Sequence, residues 1–486
     1  MMLAPGRLGR IGKLGFDAKP APLPVTYSAE ALALFTAWEA ANPGHPTPAS
    51  VGQKLITNDF IVAMKEAGIW PRLDIVHDFN VQGDLAALVE WKSPSLGTYD
   101  ATVQGNPTFT PFLYGYQGNG VDAVLELNFT PSVDGVNYTQ NAHSRGFKGT
   151  MSVQDAGVIV GTLPALNSYI YPRWTDDRAY ALDIGGATDV ANADASLVVS
   201  IDRSASNAWK FYIDGVSVSD SSGASLVSDQ PLTLLAGYDG GVTYSTGGAG
   251  FHWAGGHFTP AEQLAFAGMI DAYAAAKDSA DLIAYSGSSY GNDLHFGPAL
   301  FVAADQQLST NPRALHVLYG GVGPGSGKSS ASQLAEWYST IKPLFAKARG
   351  DKIFVMVPGD GDKADGSDGA TTIAGMIANY QEIVDDAVSI GVKVVVSSTP
   401  SWAYASPYFT ESTREHHVQL VAGVLGLNGI TAACDISDDP LLYAVGAYLN
   451  TALFQAYPGD SIPHLNGAGY QRWGARLGAV VQSVRA

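Results

Sequence analysis

The chain has 486 residues, with 27 basic against 45 acidic side chains for a formal charge of −18, 46% hydrophobic residues and 15% charged ones. That length exceeds one ordinary hydrophobic core, so two folded domains with smaller attachments are expected, and the apolar content excludes wholesale disorder. The acidic balance disfavours nonspecific binding to nucleic acid or anionic membranes and leaves soluble partners or neutral sugars.

The lone Cys434 permits no internal disulfide and no cysteine-based metal site, and reads as a buried structural thiol. No apolar run approaches bilayer length, and the first residues lack the apolar centre of a secretion signal, so an external location would need another route.

Residues 1–24 carry Arg7, Arg10, Lys13 and Lys19 against Asp17, spaced by glycines and closed by Pro20, Pro22 and Pro24. Such a segment cannot bury a core, so it is a flexible basic arm or one that orders on a partner. Residues 25–80 read as a helical neck. Leu32, Leu34, Phe35 and Trp38 suit a helix over 28–41, capped by Ser28 and stopped by Pro43 and Gly44; a second covers 58–67 with Phe60, Ile61 and Met64 inward. Both are too short to be read as a coiled coil.

Residues 81–277 form a series of short alternating strands. The segments 195–202, 209–214, 216–219 and 232–236 read as half-buried strands, with Asp214 and Gly215 as a hairpin turn. Strands in such close series mean a sandwich or barrel. Aromatic rings stack on sugar faces, so Tyr169, Tyr171, Trp174, Tyr238 and Tyr244, placed on loops, are candidate carbohydrate contacts, with a core or rim role as the plain alternative. A helix over 260–277 follows.

From 278 to 486 strands alternate with helices. Buried-strand runs at 281–285, 314–319, 352–357 and 392–397, separated by helical stretches at 331–347 and 372–390, predict a parallel sheet covered on both faces. Ligands then gather at the carboxyl ends of the strands. Weaker signals do not add a cofactor or a metal. Gly323 to Ser329 imitates a phosphate loop, but Val322 stands where its first glycine is required; the acidic run 360–368 reads as a solvated turn before a Ca²⁺ site; His416 and His417 point to different helix faces.

Four stretches in this last domain carry a resemblance. They are Ser286 to Gly291 after the first strand, Gly320 and Gly321 after the second, Pro358 to Asp362 after the third, and Asp460 to Asn466 near the end. Together they resemble the SGNH hydrolases, a family of esterases, lipases and carbohydrate deacetylases. The resemblance implies Ser289 as nucleophile, His464 as base with Asp460 to orient it, and an oxyanion hole drawn from Gly320, Gly321 and Gly361. A serine hydroxyl needs an imidazole within hydrogen-bond reach, and the oxyanion needs fixed donors. Three departures stand beside the matches. Ser288 replaces the family's Asp, Gly361 stands where a side-chain amide is expected, and Asp460 lies four residues before His464 instead of three.

The segments 67–74, 90–92, 137–143 and 251–262 resemble the laminin-G or concanavalin-like sandwich of phage tail and receptor-binding proteins. The implied fold class is multidomain: an all-β jelly-roll sandwich followed by an α/β/α SGNH-hydrolase-like domain, with a short helical N-terminal neck. The implied function is a virion surface, tail fibre or spike protein that recognises host surface polysaccharide, with carbohydrate O-acyl esterase activity or added contact surface from its α/β domain. Its implied partners are that polysaccharide, other virion proteins through the N-terminal arm, and further copies of itself, commonly three in such appendages, with no nucleic acid and no membrane insertion. A free carbohydrate esterase with a binding module, or a non-catalytic decoration protein, are the alternatives.

Overall fold

The structure is a computed structural model that describes residues 26–41, 50–150, most of 154–238, 241–287, 314–320, 329–357, 372–398, 411–437, 439, 454–455, 464–465 and 467–485. The arm at 1–24 and the loops at 323–328 and 360–368 lie outside the described residues.

Helix α1 (Ala29–Ala41) begins where expected, with the Ser28 hydroxyl accepting from Ala31 N at 3.2 Å. Its buried stripe is Ala31, Leu34, Phe35 and Trp38, whereas Leu32, expected inward, is 56% exposed. The 3.6-residue period that aligns 31, 35 and 38 turns position 32 to solvent. Helix α2 (Val51–Glu66) begins well before the expected Asn58, because Ser50 caps it, accepting from Gln53 N at 3.1 Å. Its inward face starts with polar side chains, Gln53, Thr57 and Asn58, which an apolar pattern passes over. Both helices lie against the body of the protein: Phe60 stacks on Tyr273 of the helix that follows the strand series, with ring centroids 4.5 Å apart.

Among the described residues the strands from 73 to 255 make an eight-stranded and a seven-stranded antiparallel sheet and a separate two-stranded ribbon. The eight-stranded sheet contains β1 (Leu73–Asp78), β2 (His143–Gly149), β5 (Val198–Ala205) and β6 (Gly248–Gly255); the seven-stranded sheet contains β3 (Tyr169–Tyr171) and β4 (Arg178–Asp183). At the hub of the first, β6 pairs with β2 on one side and β1 on the other. The expected hairpin at Asp214 and Gly215 is present, both with positive φ. Polar groups cross between the sheets: Arg203 of β5 donates to Asp183 of β4 at 2.7 Å, and His143 of β2 lies 3.3 Å from the same carboxylate. All three side chains are buried, and Asp183 is held down at a pKa of about 2 by His143 and Arg203 against the opposing effect of burial.

Helix α3 (Pro260–Ser279) leaves this body. Thr259 and Glu262 form a capping box and Pro260 opens the first turn, as their order in the sequence requires. Its inner face carries Phe266, Ile270, Tyr273 and Lys277. Tyr273 joins Phe60, Trp91 and Phe251 in a cluster of edge and stacked ring contacts, and its hydroxyl donates to Asp78 at 2.6 Å. The Lys277 ammonium donates to the same Asp78 oxygen at 2.8 Å.

Among the described residues the parallel sheet has five strands: β7 (Asp281–Gly287), β8 (Ala314–Gly320), β9 (Lys352–Met356), β10 (Lys393–Ser397) and β11 (Ala432–Cys434). Their spatial order is β8-β7-β9-β10-β11 and every pairing is parallel. Ile353 to Met356 and Val394 to Val396 are buried throughout, as a sheet covered on both faces demands. The fifth strand is Ala-Ala-Cys, too short and too plain to read as a strand in the sequence, and it buries Cys434. The stretch expected as one helix at 331–347 is α4 (Ser330–Glu336) and α5 (Lys342–Lys347) joined by a wide turn over Trp337–Ile341. Pro343 lacks the N–H that would continue the ladder through that point. Helices α6 (Ile373–Ser389), α7 (Glu411–Leu425) and α8 (Gly467–Val484) complete the domain, and Phe454–Gln455 pairs with His464–Leu465 just before α8. The edge strand β8 is covered by α2: Ser50 donates to Ala314 O at 3.0 Å, and a Cβ on Gly52 would meet that oxygen at 2.2 Å. No described helix is long and apolar enough to cross a membrane.

His77 on β1 is wholly buried, donating through Nε2 to Tyr99 O at 3.0 Å and stacking on Phe79, and burial lowers its pKa to about 4. The unfolded chain therefore takes up the proton first, so stability is lost as pH falls below about 6.5 and the loss is complete near the folded value. His77→Phe should remove this loss. Between pH 7.5 and 5.5 the variant's unfolding free energy should gain about 1 kcal/mol relative to the parent in urea titrations. An equal pH response of the two proteins would show that His77 protonates freely in the folded state.

Candidate functional site

In a doubly wound sheet the crevice for ligands lies at the carboxyl ends of the strands, where the strand order reverses. With the order β8-β7-β9-β10-β11, that point lies between β7 and β9. Ser286, buried at the end of β7, accepts from Val357 N through its carbonyl at 2.8 Å and donates from its hydroxyl to Glu336 at 3.1 Å. Ser289 follows two residues after β7 ends and lies outside the described residues, as do Gly321, Gly361 and Asp460. Gly320 is the last residue of β8, in register with Gly287.

The direction of α8 decides where His464 stands. Near its middle, Trp473 Nε1 donates to Ser397 Oγ at 2.9 Å, at the carboxyl end of β10. At its far end, Val484 O accepts from Lys393 at the amino end of β10 at 2.7 Å, and Arg485 pairs with Asp281 at the amino end of β7 at 2.6 Å. The helix therefore starts beyond the carboxyl edge of the sheet and runs back along it. Gly467 begins about 9 Å beyond the level of Trp473, at 1.5 Å per residue. His464 precedes it by three residues, paired with Gln455.

An ionic clamp that the sequence reading missed holds the middle of this helix. Asp439, buried in the segment after β11, accepts from Arg472 Nε at 2.8 Å and Nη2 at 3.1 Å, and from Arg476 at 3.2 Å. Arginines at positions i and i+4 on one helix face were its only sequence signal.

The aromatic candidates separate into two groups. Tyr169 and Tyr171 lie within β3, not on a loop, because Ile170 between them points inward and pairs with Ala181. Tyr171 is itself covered, 3% exposed, beneath Trp174 at 4.4 Å and beside Tyr169 at 5.0 Å, so it supports the patch without forming its surface. Tyr180, in register with Tyr171 on β4, extends the row past Trp174 and was missed. In Arg178–Asp183 the alternation of burial turns Tyr180 outward, but the sequence Arg-Ala-Tyr-Ala-Leu-Asp shows no matching polar and apolar alternation that would have signalled it. Tyr238 and Tyr244 likewise sit on paired strands, Ala236–Tyr238 against Val242–Tyr244.

One buried carboxylate ties the two groups together. Asp155 N donates to Arg173 O at 3.1 Å, in the turn carrying Trp174. The Asp155 carboxylate accepts from Thr246 N at 2.7 Å, Gly247 N at 3.0 Å and the Ser245 hydroxyl, just past Tyr244. Around Trp174 the polar groups are already ordered: Tyr180 donates to Asp176 at 2.6 Å, and Arg173 and Gln154 each donate to Asp177 at 2.8 Å. The hydrogen bond to Asp176 raises the Tyr180 pKa, and those from Gln154 and Arg173 lower that of Asp177. Ring faces beside fixed carboxylates, an amide and a guanidinium are the chemistry that recognises a sugar. Among the described residues no group of three or more His, Cys, Asp or Glu is placed to hold a metal ion.

No protein-family model matches this chain, and no curated protein does. Solved structures similar to it include domain 4 of a GH43 extracellular arabinanase from Geobacillus stearothermophilus in complex with arabinotriose, 14% identical over 40% of this chain and 98% of that one, TM-score 0.30. The lipase/acylhydrolase from Enterococcus faecalis is 15% identical over 42% of this chain and 96% of that one, TM-score 0.32. The botulinum neurotoxin serotype D binding domain is 12% identical over 48% of this chain and 56% of that one, TM-score 0.31. At such scores these likenesses establish neither the fold nor the activity of this chain.

The clamp at Asp439 has a measurable weight. Asp439→Asn removes a charged acceptor shared by two arginines and should cost about 1.5–3 kcal/mol in urea unfolding, with faster amide exchange over 467–476. Unchanged stability and exchange would mean that α8 is positioned without it.

Proposed function

We propose that this chain recognises a surface polysaccharide through its antiparallel body and removes O-acyl groups from it with its α/β domain. In this reading the antiparallel body, which takes in β1 at 73–78 as well as residues 81–277, is a concanavalin-like jelly roll, and 278–486 an SGNH-type hydrolase. Ser289 is the nucleophile, His464 the base and Asp460 its orienting group, with backbone amides among Gly320, Gly321 and Gly361 facing the oxyanion. The observation that supports it is the direction of α8: the helix that follows His464 starts at the carboxyl edge of the sheet, the edge at which β7 leads into Ser289. The aromatic patch on β3 and β4 supplies the sugar-binding half.

The chemistry follows from these parts. The serine oxygen attacks the ester carbonyl carbon as the imidazole takes its proton, and the tetrahedral oxyanion turns toward the backbone amides. Collapse breaks the bond to the sugar oxygen, which receives that proton. Water then repeats the sequence on the acyl-serine and releases the acid. A glycine at 361 offers no side-chain donor, and one missing oxyanion donor costs roughly a hundredfold in rate, so a slow esterase is expected.

The proposed setting is a virion surface appendage assembled from several copies. What supports it is the contrast between the basic segment at 1–24 and the acidic remainder, which suits an attachment arm. Mass spectrometry of purified particles tests the setting separately from the chemistry.

The intact protein should release acetate from acetylated bacterial surface polysaccharide, and Ser289→Ala should lower that rate by roughly a thousandfold or more while leaving polysaccharide binding intact. Release that survives the substitution would refute the assignment of Ser289. Trp174→Ala should weaken polysaccharide binding by roughly tenfold in a titration, with acetate release from a small acetylated substrate unchanged. Equal affinity would remove the β3–β4 patch from the binding surface.

A further inference from the structure

Where the antiparallel body meets the α/β domain, a cleft of about 230 Å³ opens between β2, β6, α3 and α5. Three ammonium groups from three separate elements line it: Lys148 of β2, Lys277 of α3 and Lys347 of α5. Two carboxylates, Asp78 and Asp278, line it as well, so the lining holds one more cation than anion in a chain of formal charge −18.

The three are not equally compensated. Lys277 is neutralised by Asp78 at 2.8 Å. Lys148 reaches Asp271 at 2.8 Å and Ser196 O at 3.0 Å, and Asp271 is half exposed, so that pair is screened by water. Lys347 has the least. It donates to two neutral carbonyls, Phe112 O at 3.3 Å and Leu113 O at 3.2 Å, and its carboxylate neighbour Asp278 stands at 3.7 Å, beyond hydrogen-bond reach. Burial lowers the Lys347 pKa despite Asp278, the mark of a desolvated cation short of negative charge. Beside these ammoniums the lining is mixed: Asp78, Asp278, Asn80, Thr150 and Ser196 are polar, while the buried Phe251 and Ile270 make an apolar wall.

We propose that this interdomain cleft is a binding site for a small organic carboxylate, up to the size of a single sugar acid, with its carboxylate between Lys347 and Lys148 and its carbon skeleton against Phe251 and Ile270. The volume admits one monosaccharide and no more. A carboxylate there would supply Lys347 with the charged acceptor that the chain itself does not bring within hydrogen-bond reach. Because Lys347 belongs to the α/β domain and Lys148 to the antiparallel body, occupancy would bridge the two. This inference is independent of the esterase reading.

The test is titration of the intact protein with sodium glucuronate, sodium phosphate and sodium chloride at matched ionic strength, following the melting temperature and the heat of binding. Glucuronate should stabilise the protein saturably, beyond chloride and beyond phosphate. Lys347→Gln should weaken that binding at least tenfold, while melting no lower than the parent without ligand, since a desolvated charge has gone. Ala274→Phe fills the cleft from a partly exposed position on α3 without removing any charge, and should abolish the response even if Lys347→Gln does not fold. A glucuronate response no greater than that to chloride, one matched by phosphate, or one retained in Ala274→Phe would overturn the proposal. Glucuronate binding by Ser289→Ala, measured alongside, separates this site from the proposed catalytic one.

Discussion

The buried carboxylate of Asp78 is the constraint on which the arrangement depends. It sits at the end of β1 with 1% exposure and accepts from Tyr273 OH, Lys277 Nζ and Asn80 N. A carboxylate withdrawn from water without partners costs several kcal/mol, so the fold must deliver these donors, and two of them reside on α3. Seating α3 for Asp78 also seats Tyr273 among Phe60, Trp91 and Phe251. The next strand of the chain, β7, starts two residues after α3 ends, so the helix also sets where the parallel sheet begins. Arg349 N donates to Asp278 O at 2.8 Å across that junction, and Gly350 approaches Ala280 so closely that a Cβ would meet its carbonyl oxygen at 2.5 Å.

A second polar device works inside the antiparallel body. Arg203 and Asp183 face each other from different sheets, with His143 on the same carboxylate. Because side chains alternate between faces along a strand, a slip of one residue in β4 or β5 would turn one charge outward and leave the other buried alone. The pair therefore penalises wrong register. The same logic applies at Asp439, where two arginines from the middle of α8 close on one buried carboxylate and fix that helix along the parallel sheet.

What could be read from the sequence follows from which residues are buried. The runs at 353–356 and 394–396 were legible because strands covered on both faces must be continuously apolar. Helix α3 was legible because its capping box and proline stand together at its start. The first turns of α2 were not, because their inward residues are Gln53, Thr57 and Asn58. Polar inward residues such as Asp78, Lys277, Asp183 and Asp439 carry no apolar signal; Lys277 and Asp183 stand at inward positions of their helix and strand, yet each is explained only by a partner far along the chain. At the candidate sites the aromatic row was half legible: Tyr169 and Trp174 were named, but Tyr180 was not, since its role comes from being in register with Tyr171 across two strands. Ser289 and His464 were chosen by resemblance to a motif, and 175 positions separate them (464 − 289), a distance that only the topology of the sheet and the direction of α8 can close.

Esterase chemistry on this chain requires Ser289 and His464 to meet at the carboxyl edge of the parallel sheet. The most direct measurement is covalent labelling by a serine-directed alkyl fluorophosphonate, read by peptide mass spectrometry on the intact protein and on His464→Ala. One labelled peptide is expected, with the phosphonate on Ser289, and labelling slowed by orders of magnitude in the variant, because an unassisted serine hydroxyl is a poor nucleophile. Phosphonate on a different serine, or labelling of Ser289 at equal rates in both proteins, would contradict it.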